Sequence, residues 1–262
     1  MPLAFIACVI LALIMGWALY LLYDLYEMRR RSKLLREVAT PLPSSPHHSG
    51  EIDVDSSQLF RSVSPEGHTP YWLVFDTETF DLIPDEDPAE GYDARPIALS
   101  WQLLDESGAM LLEESYLLAR SEHLSPEATA LHGVTDEDLK LRAKSPREVY
   151  TLFLGDLSRA SMIVAHHLAF HRSILAADLQ QEGLEATLLL SARGLCTMEW
   201  GRSLGFKRSA SGEALYPRLS ELFGQLYFAR PSLRVRYTSK TLRDVRLCAA
   251  SLRRHPLLMA SS

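Results

Sequence analysis

Tyr71-Trp72-Leu73-Val74-Phe75-Asp76-Thr77-Glu78-Thr79 is the stretch that decides the fold. Residues 71–75 are aromatic, β-branched or leucine without interruption, the pattern of a short strand buried on both faces. Two carboxylates follow directly. Side chains alternate along a strand, so Asp76 and Glu78 share one face and project toward one point. Carboxylates that close repel unless a cation lies between them, and a site made only of oxygens suits Mg2+ or Mn2+. Solvated acids at a strand end are the ordinary alternative, and the buried character of 71–75 argues against it.

Downstream, 96–104 and 110–118 read as two more strands joined by the turn Asp105-Glu106-Ser107-Gly108. Ser125-Pro126 opens a helix with a capping residue and proline at the first position, and Gly133 ends it. Ser145-Pro146-Arg147-Glu148 has the form of a capping box for a helix through about 157. A buried strand at 162–165 precedes a helix over about 168–181. A last helix carries Leu242, Val245, Ala249 and Leu252 as one apolar stripe. Three leading strands followed by mixed helices and strands predict an α/β domain with a mixed sheet over residues 71–254, and 255–262 read as a tail.

Upstream, residues 3–22 are uncharged and apolar, about the length that crosses a bilayer. Trp17, Tyr20 and Tyr23 sit where aromatic rings favour the membrane interface. Arg29, Arg30, Arg31, Lys33 and Arg36 follow. A cleaved signal would have its charges before a shorter apolar core, so 1–23 reads as a retained transmembrane anchor. The basic juxtamembrane segment 24–39 then places the rest of the chain on the cytoplasmic side, at the inner membrane if the protein is bacterial. Residues 40–70 are rich in Pro, Ser and Gly, lack apolar periodicity, and read as a flexible linker in which His47 and His48 are solvated.

The 262 residues carry a net charge of −6. From Ser191 onward there are 13 Lys/Arg against four Asp/Glu, a local excess of +9 on an otherwise acidic chain. That asymmetry suits either a solvated basic face or an anionic partner. Cys8, Cys196 and Cys248 are far apart and form no CxxC pair, so neither a disulfide framework nor a zinc site follows.

LVFDTETF at 73–80 resembles the first motif of the DEDD-superfamily 3′–5′ exonucleases, the group of ribonuclease T and the proofreading subunit of bacterial DNA polymerase III. Further segments resemble the family in the same order. They are Leu131-His132-Gly133-Val134-Thr135, then His166-His167-Leu168-Ala169-Phe170-His171 in place of His-Asn-x-x-Phe-Asp. Leu195-Cys196-Thr197-Met198 with Pro217-Arg218-Leu219-Ser220-Glu221-Leu222 comes next, and Thr241-Leu242-Arg243-Asp244-Val245-Arg246 is last. The likeness covers about 71–252. It implies a ribonuclease H-like exonuclease fold with a central mixed sheet, and phosphodiester hydrolysis from a nucleic-acid 3′ end by paired Mg2+ or Mn2+ ions. Carried over by position, Asp76, Glu78 and Asp244 would be the catalytic metal ligands. Arg230, Arg234, Arg236, Lys240, Arg243 and Arg246 would track a single strand of DNA or RNA.

Two positions depart from that pattern. His171 stands where the second motif has Asp, and Ser239 stands where the third has His. The tyrosine variant of the family is not met either, since Lys240 occupies its position. Imidazole suits the hard ion Mg2+ poorly, serine does not accept a proton near neutral pH unaided, and Asp178 lies two helical turns too far on. Three functions remain open from the sequence. One is a membrane-anchored, metal-dependent exonuclease. Another is a degenerate exonuclease fold that binds nucleic acid or protein. The third is a structural module of a membrane complex, its basic helix facing anionic lipid.

Overall fold

The computed structural model describes residues 52–60, 62–80 and 95–259. Strand β1 (Asp53–Asp55) and a 3-10 turn (Ser56–Gln58) lead to β2 (Pro70–Thr79), β3 (Pro96–Asp105) and β4 (Met110–Leu117). Helices α1 (Pro126–His132), α2 (Asp136–Arg142) and α3 (Pro146–Leu157) follow. After β5 (Met162–Ala165) come α4 (Leu168–Gln181), α5 (Thr187–Ser191), β6 (Gly194–Cys196), α6 (Thr197–Ser203) and α7 (Leu219–Phe228). The remainder is β7 (Arg234–Arg236), α8 (Lys240–Leu252) and α9 (Pro256–Met259).

The main sheet has the order β4-β3-β2-β5-β6. β2 pairs antiparallel with β3 along its length and parallel with β5 over Trp72–Val74, so its first half is bonded at both edges. The strand is buried from Trp72 to Glu78. Alternation along β2 then decides what packs where. Leu73 and Phe75 join Leu99 and Trp101 of β3 under α3 and α4, whose Tyr150, Phe153 and Leu175 are buried there. Trp72 and Val74 lie in the opposite cluster, with Phe223 of α7 and Val245, Cys248 and Leu252 of α8. The apolar stripe expected on the last helix is therefore its contact with the sheet.

Local signals mostly hold. Ser125 accepts a bond from the Ala128 N–H at 3.1 Å, and Gly133 closes α1 at φ 77°, a backbone state that costs glycine nothing. The capping box expected at Ser145 does not form, for its side chain makes no cap bond. Pro146 at the first position lacks an N–H, which leaves fewer donors there to satisfy. A box does open α2, between Thr135 and Asp138.

The flexible-linker expectation for 40–70 is corrected for its described part. β1 pairs in parallel with β7, matching Asp53 with Arg234 and Asp55 with Arg236. Phe60 is buried beside Trp72, Met110 and Leu258, and the Arg253 guanidinium lies 4.0 Å from its ring centroid. Val54, Leu59 and Phe60 supply enough apolar surface to dock an otherwise polar segment. The tail expectation is corrected in the same way, since α9 buries Leu258 in this cluster. Among the described residues no helix is long and apolar enough to cross a membrane, and the anchor expected at residues 3–22 lies outside them.

Phe60→Ala tests the docking. It should destabilise the folded domain by about 3 kcal/mol, the usual cost of emptying a buried phenylalanine site. Urea unfolding measures this, and an unchanged midpoint would return residues 52–70 to the status of a tether.

Candidate functional site

Beyond Val74 the β2 face that meets α8 carries Asp76 and then Glu78. Asp244 sits on α8 opposite them. One oxygen from each of the three carboxylates lies within 4.8 Å of the others. Metal–oxygen distances of about 2.1 Å put opposite ligands of one octahedral Mg2+ roughly 4.2 Å apart, so these oxygens lie near enough to share an ion. The carboxylates form part of the wall of an open cavity of about 380 Å³. Exposed Leu131 from the end of α1, and His167 and Phe170 around the start of α4, complete much of its rim.

Charge is offset in part by the chain itself, with two cations against three carboxylates. The Lys240 ammonium binds both Glu78 oxygens, at 2.8 and 2.7 Å. The Arg243 guanidinium donates to both oxygens of neighbouring Asp244, at 2.7 and 2.8 Å. Lys240 and Asp244 are four residues apart on α8 and so share a helix face, which brings ammonium and carboxylate to the same cluster. Asp76 has no such cation. Burial, then the negative charges of Asp244 and Glu78, push its carboxyl well above the usual range. Glu78 is raised by burial, against the opposing pull of Lys240. A divalent ion among these oxygens would relieve the repulsion, and the all-oxygen donor set fits a hard cation.

Thr77 faces the other side of β2, toward α4, and there it meets His171. The imidazole is buried and committed at both nitrogens. Nε2 lies 2.9 Å from the His166 carbonyl, which can only accept, so Nε2 carries the proton. Nδ1 then accepts from the Thr77 hydroxyl at 2.8 Å. Asp76 Oδ1 is 3.3 Å from the same Nε2. Burial pushes His171 down to about 3, so it is neutral and contributes no charge to the cavity. His166 is tied in the same fashion to Thr197 and to the Pro217 carbonyl, both at 3.0 Å.

Ser239 does not face a substrate as a base would. It is the N-cap of α8, accepting from the Leu242 N–H at 3.4 Å and lying 3.0 Å from the Thr241 hydroxyl. Asp178 is occupied with Arg120 at 2.5 Å and with the Tyr150 hydroxyl. Of the basic residues expected to hold a strand, Lys240 and Arg243 are drawn into the carboxylate cluster. Arg234 and Arg236 lie on β7 and do not line the cavity, and Arg236 pairs with Asp53 at 3.1 Å. Arg246 pairs with Glu113. The supposed basic track is thus largely a set of internal ion pairs.

Three cavity residues were not singled out from sequence. Leu131 and Phe170 lie within the motif-like segments, which assigned them no role of their own. His167 adopts the left-handed conformation at φ 73°, a state in which Asn and His are enriched, and its ring stacks on Phe170 with centroids 5.5 Å apart. The resemblance to a motif with Asn at this place was the available signal.

Solved structures share this fold. E. coli exonuclease I in complex with a 5cy-dT13 oligonucleotide matches with a TM-score of 0.55 at 14% identity, over 74% of this chain and 42% of that one. The zinc-ion-bound form of the E. coli exonuclease I–single-stranded DNA complex gives 0.55 at 13% identity, with coverages of 74% and 42%. A product-bound exonuclease I gives 0.54 at 12%, over 71% and 43%. Identities this low establish the exonuclease-type fold, and the chain spans less than half the length of exonuclease I. No protein-family model matches the chain, and no curated protein matches it by sequence.

The buried histidine has a consequence for acid stability. His171 takes up a proton near pH 6.5 when unfolded but only near 3 when folded, so the unfolded state binds more protons between those values. Its contribution to stability is complete above about pH 6.5 and is lost as pH falls toward 3. The raised carboxyls of Asp76 and Glu78 act in the opposite sense, so the difference between two proteins is the useful quantity. In chelator, wild type should lose more stability than His171→Gln between pH 6.5 and 4, by thermal melting. Parallel pH curves would mean His171 is not buried neutral.

Proposed function

We propose that the chain is a divalent-cation-dependent nuclease that removes nucleotides from the 3′ ends of single-stranded nucleic acid, held at a membrane through residues 3–22. The observation that carries this reading is the convergence of Asp76, Glu78 and Asp244 on one ion-sized point in the wall of an open cavity. Exonuclease I shares the fold and has been seen with single-stranded oligonucleotides and in a zinc-bound form, which supports a strand and a metal as the occupants. Mg2+ or Mn2+ held by the three carboxylates would supply Lewis acidity toward a phosphodiester. The stacked His167 and Phe170 rings and the Leu131 side chain offer a flat, largely apolar surface to a terminal base. Arg234 and Arg236, set back from the cavity, would meet phosphates further along the strand.

His171 and Ser239 favour a second reading, in which the same fold holds a strand end without cutting it. One has both nitrogens committed to the protein and the other caps a helix, so neither is poised to take a proton. The full chain in detergent, given an end-labelled single strand with Mg2+ or Mn2+, separates the two. Ion-dependent shortening from the 3′ end should fall by at least on the order of 10²-fold in Asp76→Asn, the scale of losing a group that stabilises developing charge. Binding with no shortening in either metal would give the second reading.

The anchor is tested independently. Residues 3–22 should keep the full-length protein in membranes through an alkaline carbonate wash. Release into the supernatant would overturn the membrane assignment and leave the nuclease reading untouched.

A further inference from the structure

Lys240 opens α8 immediately after its N-cap, and its ammonium lies within 2.8 Å of both oxygens of Glu78. The side chains of this pair are largely buried, 18% and 7% exposed. A lone carboxylate at such depth would be costly, and the ammonium offsets that cost with two charge-assisted bonds. Both Glu78 oxygens are therefore already held by a cation, at the point where one oxygen from each of the three carboxylates lies within 4.8 Å of the others. Lys240 also lines a second cavity, of about 160 Å³, together with Ser239, His132 and the Asp138–Arg142 pair. An unbranched lysine chain can turn from Glu78 into that space, which gives the displaced ammonium room without requiring a new partner.

We infer that Lys240 is the resident cation of the carboxylate cluster, so that a divalent ion takes Glu78 only by displacing the Lys240 ammonium. The inference rests on reading Asp76, Glu78 and Asp244 as a cation site. It adds that the site is partly neutralised by the chain's own lysine when no ion is bound, and that ion uptake is an exchange of one cation for another. Affinity is lowered by whatever the Lys240–Glu78 pair contributes. Arg243 holds Asp244 in a similar grip, yet as the adjacent residue it can tilt without leaving its partner. Lys240 has to let go.

Calorimetric titration of the full chain in detergent with Mn2+ tests this, comparing wild type with Lys240→Met, Lys240→Gln and Arg159→Met. Both Lys240 variants should bind Mn2+ on the order of tenfold tighter or more, because the ion no longer competes with a buried pair. Arg159→Met removes the same charge at the Asp156 pair, away from the cavity, and should change affinity by no more than about twofold through screened long-range attraction. Without metal, Lys240→Met should melt lower than wild type, and Mn2+ should restore it. A variant unfolded in chelator that folds on adding Mn2+ supports the exchange, and one that stays unfolded counts against it. Equal affinity in wild type and both Lys240 variants overturns the inference while the cation site stands. No Mn2+ binding to any of the proteins overturns the cation site and the inference together.

Discussion

Asp76 and Glu78 are buried carboxylates at the end of the central strand, where β2 runs on past β5 while still paired with β3, and much of the molecule is arranged to tolerate them. Burial and mutual repulsion raise both groups. α8 brings a third acid, Asp244, and two cations, Lys240 and Arg243, within one turn and on reachable faces. A helix packed through Val245, Cys248 and Leu252 against Trp72 and Val74 cannot place its first turn anywhere else. The same packing that closes the core thus assembles the charged cluster.

The opposite face of β2 solves a different problem. There His171 fills the space with a neutral ring that satisfies Thr77 and the His166 carbonyl. A carboxylate here would add a fourth negative charge to a group that already offsets its charge with two cations. An uncharged, doubly hydrogen-bonded imidazole is compatible with full burial, and it couples α4 to β2. A histidine at this position is therefore structurally coherent.

The docked segment before β2 changes what counts as the domain. β1 pairs with β7 just ahead of α8, and Phe60 packs with Leu258 after it, so residues formally outside the nuclease-like region brace the helix that bears Asp244. Arg253 links these parts again by donating to the Gly108 carbonyl at 2.9–3.0 Å while lying over Phe60.

Local sequence determined a good deal here. The unbroken apolar run at 71–75, the proline and glycine that delimit α1, and the stripe on α8 are properties of nearest neighbours and short periods, and each element formed where those signals lay. The shared face of Asp76 and Glu78 followed from strand alternation alone, and the class of fold from the order of elements. Tertiary structure decided what those side chains meet. That Lys240 and Arg243 turn inward to Glu78 and Asp244 depends on α8 lying across β2, a contact between residues more than 160 positions apart. Whether Ser239 is a base or a cap, and whether His171 is a ligand or a buried spacer, turns on partners that only the folded chain supplies. The docking of Phe60 was hidden for the same reason, because a lone aromatic in a polar segment gains its burial energy only from a core that the distant parts of the chain have already built.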